Sequence, residues 1–546
     1  MGRKHRVVFP QYARGREGIE IEEGATLWDH AWGLGIQISS ACGGRGECGK
    51  CVVRVDKGSE GLAERTEAER NFPLAEEERL ACQTRVISSN RDIIVYVKAA
   101  GEYTILTESI EGSVPLDPFI SRREGWVFLR DIREDPVGRY EGELLGLAID
   151  VGTTTLVAQI VDMESGEVVT TLACKNPQAA YGDDVISRIG YTDQHQDGLA
   201  RLQRTVVEAV NSVLCDFEEK RGDNPRKHIY EATVVGNPTM RNLFFGLSVH
   251  SLGTSPYEPE DTSPVNERAG RLGLQIHPEA NVYGAPLVAG QVGADCLGVI
   301  LACDLYKGER PSMAVDIGTN GEVALGNRDR ILAASNAAGG AFEGATVSSG
   351  IGAIEGAIKN IWIRDGRVHY ETIGGRPPVG ICGSGLIDLL AEMLREGIIG
   401  QNGRFSEPYQ RANEFIIVQD RGEIGISQKD INELRLAKAG SALNQQTLMR
   451  KYEVDLEGLD RIYLAGGFGN YVNLDSAMAI GVLPARRDKL VKVGNGALTG
   501  ARQMLLSYER REDAERIAPR IEHVKLSEEE DFLDRYINEL YLRRWL

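Results

Sequence analysis

Four cysteines are spaced to hold a metal centre. Cys42, Cys48 and Cys51 lie in the loop Ala41–Cys51, with five residues in the first gap and two in the second; thirty more precede Cys82. Three thiolates from one loop and a fourth from a distant segment is the ligand logic of a plant-type [2Fe–2S] cluster, here with one extra residue in the first gap. Gly43, Gly44, Gly46 and Gly49 let the loop wrap tightly and aim amide N–H groups at the sulfurs. Structural zinc also takes four cysteines, but usually as two short-spaced doublets, and a triplet plus a singlet favours the cluster.

A second chemistry is written in a repeated word. Leu144–Val161 contains an apolar strand that ends at Asp150 and turns through Gly152, Thr153, Thr154 and Thr155 into another strand. The word recurs as Asp316-Ile317-Gly318-Thr319-Asn320-Gly321-Glu322. Such turns offer backbone N–H and hydroxyl groups to a phosphate chain, and the aspartate ending each strand can hold Mg²⁺ directly or through water. Two copies in matched contexts predict two similar facing lobes. Farther on, Arg461–Asn470 is an apolar strand running into Gly466 and Gly467, suited to close approach by an adenine–ribose unit. Gly339, Gly340, Gly383 and Ser384 lie in glycine-rich turns expected to open helices, where they read equally as anion-collecting sites or as points of close helix–strand packing. Asp295 stands about twenty residues before the second Asp-Gly-Thr word. No P-loop and no dinucleotide fingerprint opens a helix.

The order of these turns resembles the superfamily of sugar kinases, heat-shock chaperone ATPases and actin, whose two ribonuclease-H-like lobes clamp ATP. Around the cysteines, His5–Pro10, Gly18–Ile21, Cys51–Val55 and Asp92–Val97 read as strands and Thr26–Gly33 as a short helix. That order resembles a [2Fe–2S] ferredoxin of the β-grasp, α+β kind, nearer the adrenodoxin-like branch in its cysteine spacing. The expected organisation is multidomain. Residues 1–98 form the ferredoxin domain, 99–143 a linker and small middle segment with strands near Gly125–Arg130 and Glu141–Leu145, and 144–546 an α/β actin-like ATPase with lobes at about 144–310 and 311–546. Asp183 and Asp184 read equally as helix caps or as functional groups. Residues 432–449 read as an amphipathic helix, and Ser527–Glu530 as a capping box opening a structural helix over Asp531–Tyr541.

Composition excludes other classes. The chain has 546 residues and a net charge of −18, which argues against nucleic acid. Residues 1–98 carry 15 basic and 15 acidic side chains, so the acidic excess lies beyond them. No apolar stretch is long enough to span a membrane, nine cysteines in this pattern do not make a secreted disulfide framework, and a reducing cytoplasm is the expected compartment.

A [2Fe–2S] centre of this kind moves one electron at about −400 mV. It has no need of ATP unless transfer is uphill or gated. With Asn176-Pro177-Gln178, Gly182-Asp183-Asp184-Val185, Gly236-Asn237-Pro238-Thr239-Met240, Ala338–Gly344, Cys382–Gly385 and Ala465–Gly469, the motifs resemble the reductive activators of corrinoid proteins of anaerobic methyltransferase systems, over nearly the whole chain. The resemblance implies ATP-dependent return of inactive Co(II) to Co(I) in a partner corrinoid protein, using a low-potential electron donor, with homodimerisation as a family expectation. It implies Cys42, Cys48, Cys51 and Cys82 as cluster ligands, Asp150, Thr153, Thr154, Asp316, Thr319 and Asn320 at phosphates and Mg²⁺, and Gly466 and Gly467 along the adenosine. Asp295 and Glu322 are the carboxylates to test for water activation. Two departures are visible: a short segment between ferredoxin and ATPase, and Arg241-Asn242 where the family pattern has histidine. The alternatives are a small-molecule kinase with Asp295 as base and a redox-sensing ferredoxin, or an ATP-switched binding module. Dehydratase activators share the clamp but bridge subunits with a [4Fe–4S] cluster, which the ferredoxin loop disfavours.

Overall fold

The computed structural model describes residues 5–10, 18–34, 36, 38, 44–46, 49, 51–72, 74–87, 91–97, 114–130, 132, 134–318, 320–336, 339–344, 346–419, 423–466 and 471–545. The chain divides into two units, residues 1–102 with 175–194, and residues 103–174 with 195–546.

In the first unit, β1 (Arg6–Val8), β2 (Gly18–Glu20), β3 (Val52–Lys57), β4 (Glu78–Leu80) and β5 (Ile93–Val97) form one sheet in the order β2-β1-β5-β3-β4. Only β1 and β5 run parallel, as in a β-grasp. Alternation puts Val53, Val55, Ile93, Val95 and Val97 inward, where they pack on Leu27 and Ala31 of helix Leu27–Gly33. Thr26 caps that helix through a reciprocal box with Asp29. The short strand β4 carries no sequence signal of its own. It is set by Glu69, fully buried, whose carboxylate takes Arg79 Nε at 2.8 Å, the Leu80 amide at 3.1 Å and the Thr84 hydroxyl at 3.1 Å. Within this unit Trp32 meets Tyr181 edge-on at 6.3 Å, and Tyr181 leans on Tyr191.

The second unit opens on a small antiparallel sheet, β6 (Ile120–Arg123), β7 (Trp126–Leu129) and β8 (Gly138–Arg139). Two strands here differ from those expected from the sequence. Ile120–Arg123, read as linker, is a strand, and the closing strand is Gly138–Arg139 rather than Glu141–Leu145. Val127 and Leu129 face the core, whereas Arg139 stacks over Trp126 and Arg123 over Phe128 on the outer side.

Two six-stranded sheets follow. The first contains β9 (Leu145–Val151), β10 (Thr155–Asp162), β11 (Val168–Lys175), β12 (Ile229–Gly236), β13 (Val265–Arg268) and β14 (Asn281–Gly284), ordered β11-β10-β9-β12-β14-β13. The second contains β15 (Ser312–Ile317), β16 (Gly321–Gly326) and β17 (Ile331–Asn336), with Ile462–Ala465 parallel to β15, Leu490–Gly494 parallel to that, and Ile521–His523 parallel to β17 at the other edge. The sheets repeat one plan. Each aspartate sits on a strand paired antiparallel across the turn, Asp150 opposite Val157 and Asp316 opposite Glu322. Each also lies beside a parallel strand, Asp150 level with Val235 and Asp316 with Ala465. Buried Val, Ile, Leu and Ala fill the central strands β9, β10, β12, β15, β16 and β17 almost continuously, the pattern of strands covered on both faces.

Two helices bind the centre of the unit together. Ala294–Ala302 carries Asp295, Gly496–Leu506 is capped by Asn495, and they cross at Gly298 and Gly500. A Cβ on Gly500 would stand 2.2 Å from the Gly298 carbonyl, so only glycine allows this approach.

Three local expectations fail. The turn at Gly339–Gly344 opens no helix, because Gly344 takes a left-handed φ of 77° and packs on Ile351 instead. Ser527 lies in a 3₁₀ turn, and the last helix, Phe532–Glu539, begins after Asp531 without a side-chain cap. The helix read over 432–449 spans Gln428–Tyr452, and residues from several sides of it, such as Lys438, Asn444 and Gln445, are buried.

Candidate functional site

Cys51 and Cys82 are brought together in the first unit. Their sulfurs lie 3.2 Å apart, both buried, with no disulfide between them. Hydrogen bonding with the Cys51 thiol holds the Cys82 thiol down at about 7, against the upward push of burial, helped by the Gln83 side chain and the Gly46 amide. Such a pair suits two ligands of one soft metal atom. Gly46 and Gly49 have left-handed φ values of 76° and 68°, and a Cβ at either would drive into Gln83 or the Phe72 ring. The Gln83 amide donates to the Gly44 carbonyl at 2.7 Å, tying the cysteine loop to the turn that carries Cys82. Cys42 and Cys48 lie outside the described residues.

The second site is a cleft in the second unit, lined from one side by Asp150, Gly152, Thr153, Thr154, Thr155, Asn237 and Asp295, and from the other by Asp316, Gly318, Asn320, Glu322, Glu343, Gly383 and Gly466. The Gly152 amide donates to Thr155 O, three residues on, at 3.0 Å, and the Gly318 amide to Asn320 O, two residues on, at 3.2 Å, so each turn is closed by its own glycine amide. Asn237, cap of helix Pro238–Phe245, accepts from the Met240 amide and donates Nδ2 to Thr153 Oγ1 at 3.0 Å. Gly466 takes φ 109°, and a Cβ there would stand 2.6 Å from Ile317 O and 2.9 Å from Asp316 Oδ1, so glycine is required at this point. Phe342, Ile351 and Ala353 supply an apolar wall.

Four carboxylates crowd the floor of the cleft. Burial raises Asp150 to about 6, against a lowering hydrogen bond from Asn495. Burial raises Asp295 to about 7, with Asp150 adding to it; it raises Asp316 to about 7, with Asp295, Asp150 and Glu343 adding to it. Glu322 is pushed well above its usual range by burial and by Asp295 and Asp316, while the Ser335 hydroxyl donates to it at 3.2 Å. Carboxylates that hold one another up in this way call for a cation. Among the described residues no three acidic, histidine or cysteine side chains are gathered into a ready-made metal cage.

Gly321, Gly339, Gly340 and Ser384 do not line the cleft. Gly321 gives its carbonyl to Asn444, and the buried Ser384 donates to Lys359 O. Thr319 and Gly467 lie outside the described residues. Asn237 lies in the Gly236–Thr239 motif singled out from the sequence, whereas Asn495 and Glu343 are site residues that the sequence reading missed. Asn495, like Asn237, follows a glycine at the end of an apolar strand, a cap signal that could have flagged it.

Both parts of the chain have counterparts among known proteins. Residues 13–86 match the 2Fe-2S iron-sulfur cluster binding domain, 145–308 the RACo middle region, and 310–545 the C-terminal domain of RACo, the ASKHA domain. The corrinoid activation enzyme RamQ of Eubacterium limosum is 30% identical over 97% of this chain and 98% of its own. This chain belongs to the RACo family of reductive activators for corrinoid proteins. A solved reductive activator for corrinoid, iron-sulfur protein is 31% identical, covers 99% of this chain and 98% of its own, and superposes with a TM-score of 0.74. A Methanosarcina barkeri protein named [Co(II) methylated amine-specific corrinoid protein] reductase is 26% identical over 73% of this chain and 77% of its own. The fold is thus a ferredoxin domain followed by an actin-like ATPase domain. No helix among the described residues is long and apolar enough to cross a membrane.

Proposed function

We propose that this protein uses ATP to drive one-electron reduction of Co(II) to Co(I) in a partner corrinoid protein that serves a methyltransferase system. The observation that carries this reading is the pairing, in one RACo-family chain, of a buried reduced Cys51–Cys82 pair with a cleft lined by two Gly-Thr turns and mutually repelling carboxylates. The boundaries that go with it are 1–98, 99–143 and 144–546, and the expected setting is the cytoplasm of an anaerobe.

When bound by Cys42, Cys48, Cys51 and Cys82, a [2Fe–2S] cluster supplies a single electron at low potential. The protein's part there is to exclude water and hold the sulfurs: Cys51 and Cys82 are buried, and Gly46 presents its amide to Cys82. In the cleft, Gly152–Thr155 and Gly318–Asn320 would take the phosphates of ATP, Gly466 would admit the adenosine, and Asp150 and Asp316 would hold Mg²⁺. Asn237 fixes the Thr153 hydroxyl, and Asn495 fixes the Asp150 carboxylate. Asp295 and Glu322 remain the carboxylates proposed to orient water. Each 59 mV of uphill gap costs about tenfold in equilibrium for one electron, which is what nucleotide-driven closure of the lobes would offset.

The test is anaerobic optical spectroscopy of the purified protein with a Co(II) corrinoid protein and a low-potential reductant, with and without Mg-ATP. Co(I) absorption that grows only with Mg-ATP is expected. Co(I) formation at the same rate without nucleotide would sink the ATP-dependent reading.

A further inference from the structure

Glu343 reaches both turns at once. Its Oε2 accepts from the Thr154 hydroxyl at 3.2 Å, and its Oε1 lies 3.9 Å from the point where a Cβ on Gly318 would stand. Thr154 belongs to the turn after β9 and Gly318 to the turn after β15, so one carboxylate occupies the space between the two halves of the site. The loop that carries it is framed by left-handed Gly339 and Gly344, at φ 70° and 77°. Gly344 is a fixed root, since a Cβ there would approach the Ile351 amide to 2.5 Å. Asp316 is close enough to feel the charge of Glu343.

This inference rests on the reading of the cleft as a Mg-ATP site. Both turns aim at the place a phosphate would take, and an anion with two oxygens already stands there. We propose that Glu343 is an affinity-determining residue of the nucleotide site, an internal anion that repels metal-free polyphosphate and admits it only with a divalent cation between them. A free triphosphate meets the carboxylate at close range in a partly desolvated cleft, where like charges interact strongly. A divalent cation shared by carboxylate and phosphate oxygens turns the same proximity into attraction. The side chain thereby selects Mg-nucleotide over free nucleotide before any chemistry occurs.

Titration calorimetry of the full-length protein with ATP, in EDTA and in excess Mg²⁺, tests this on the wild type, Glu343→Gln and Glu343→Asp. Glutamine keeps the shape and an acceptor for Thr154, so the fold is retained. In Glu343→Gln, ATP in EDTA should bind about tenfold or more tighter than to the wild type, and the ratio of Kd without Mg²⁺ to Kd with Mg²⁺ should fall by a similar factor. Glu343→Asp, which keeps the charge, should keep the wild-type ratio. Equal ratios in wild type and Glu343→Gln would overturn the proposal while leaving the ATP reading intact. A ratio that falls only because Mg-ATP binds more weakly would make Glu343 a simple cation ligand and also overturn it. No binding of ATP to the wild type under either condition would instead overturn the reading on which it rests.

Discussion

Asn495 donates Nδ2 to Asp150 Oδ2 at 2.9 Å, joining residues 345 positions apart in the chain at the floor of the cleft. The bond exists because two helices touch through glycine: Gly500, in the helix that Asn495 caps, lies against Gly298, in the helix that carries Asp295. It favours the ionised form of Asp150, in opposition to burial.

Asn495→Ala should therefore move the acid side of the pH profile. If ionised Asp150 is required for Mg-ATP, kcat/KM for ATP hydrolysis in the wild type rises with pH through about 6. Without the amide, the folded-state pKa of Asp150 climbs and the rising limb shifts to higher pH by about one unit. Steady-state ATPase assays between pH 5 and 9 check this. An unshifted limb with a uniformly lower rate would mean that Asn495 acts only as a helix cap.

The crowded carboxylates also set how the nucleotide-free protein responds to pH. Asp295 is raised from its ordinary 3.8 to about 7, so between these values the folded state binds more protons than the unfolded state. Stability from this group is present below the unfolded value and is lost as pH rises toward 7. Asp295→Asn removes that penalty. Its Tm should exceed the wild type's at pH 8, by the equivalent of roughly 1–2 kcal/mol after allowance for screening, and match it near pH 4. Differential scanning calorimetry without Mg²⁺ would show whether the gap opens with rising pH.

Glu69 holds together the turn that presents Cys82. Its carboxylate takes the Arg79 guanidinium, the Leu80 amide and the Thr84 hydroxyl, on both sides of the cysteine. Glu69→Ala leaves the Arg79 guanidinium facing a cavity with only the Ala63 carbonyl to accept from it and takes an acceptor from the Leu80 amide and the Thr84 hydroxyl, a loss of about 3 kcal/mol or more for a buried pair. The measurable result is faster loss of visible [2Fe–2S] absorption on warming, with Cys51→Ser as the control that never forms a normal cluster. Wild-type retention in Glu69→Ala would show that the loop glycines alone hold Cys82 in place.

What could be read in the sequence follows from what was local. Asp150 and Asp316 announced themselves because strand, turn and strand are contiguous, and the word is repeated in full. The β-branched run Ile93–Val97 was equally plain, being buried on alternate positions. Glu343 was not legible, since its partner Thr154 lies 189 residues away and nothing in Ala341-Phe342-Glu343-Gly344 says which way the carboxylate turns. Strand β4 was hidden because its placement depends on one buried carboxylate rather than on its own three residues. The last helix misled for a related reason. Ser527 and Glu530 have capping-box spacing, yet Leu526 is buried in a 3₁₀ turn that delays the helix to Phe532.

That last helix is held by an ion pair whose value depends on both partners. Lys438 is fully buried in helix Gln428–Tyr452, and its ammonium donates to Glu539 Oε2 at 2.9 Å, Glu539 O at 2.9 Å and Tyr541 O at 3.1 Å. Burial lowers the lysine's pKa, and Glu539 opposes this. Removing one member leaves the other charged and buried, so Lys438→Met should cost roughly 3–5 kcal/mol. Replacing both, as Lys438→Met with Glu539→Leu, should recover most of that loss, because two apolar side chains suit the same interior. A double-mutant cycle in urea measures the coupling directly. Additive effects of the two changes would mean that the C-terminal helix is held by its apolar contacts, such as that of Phe532 with the core, and not by the pair.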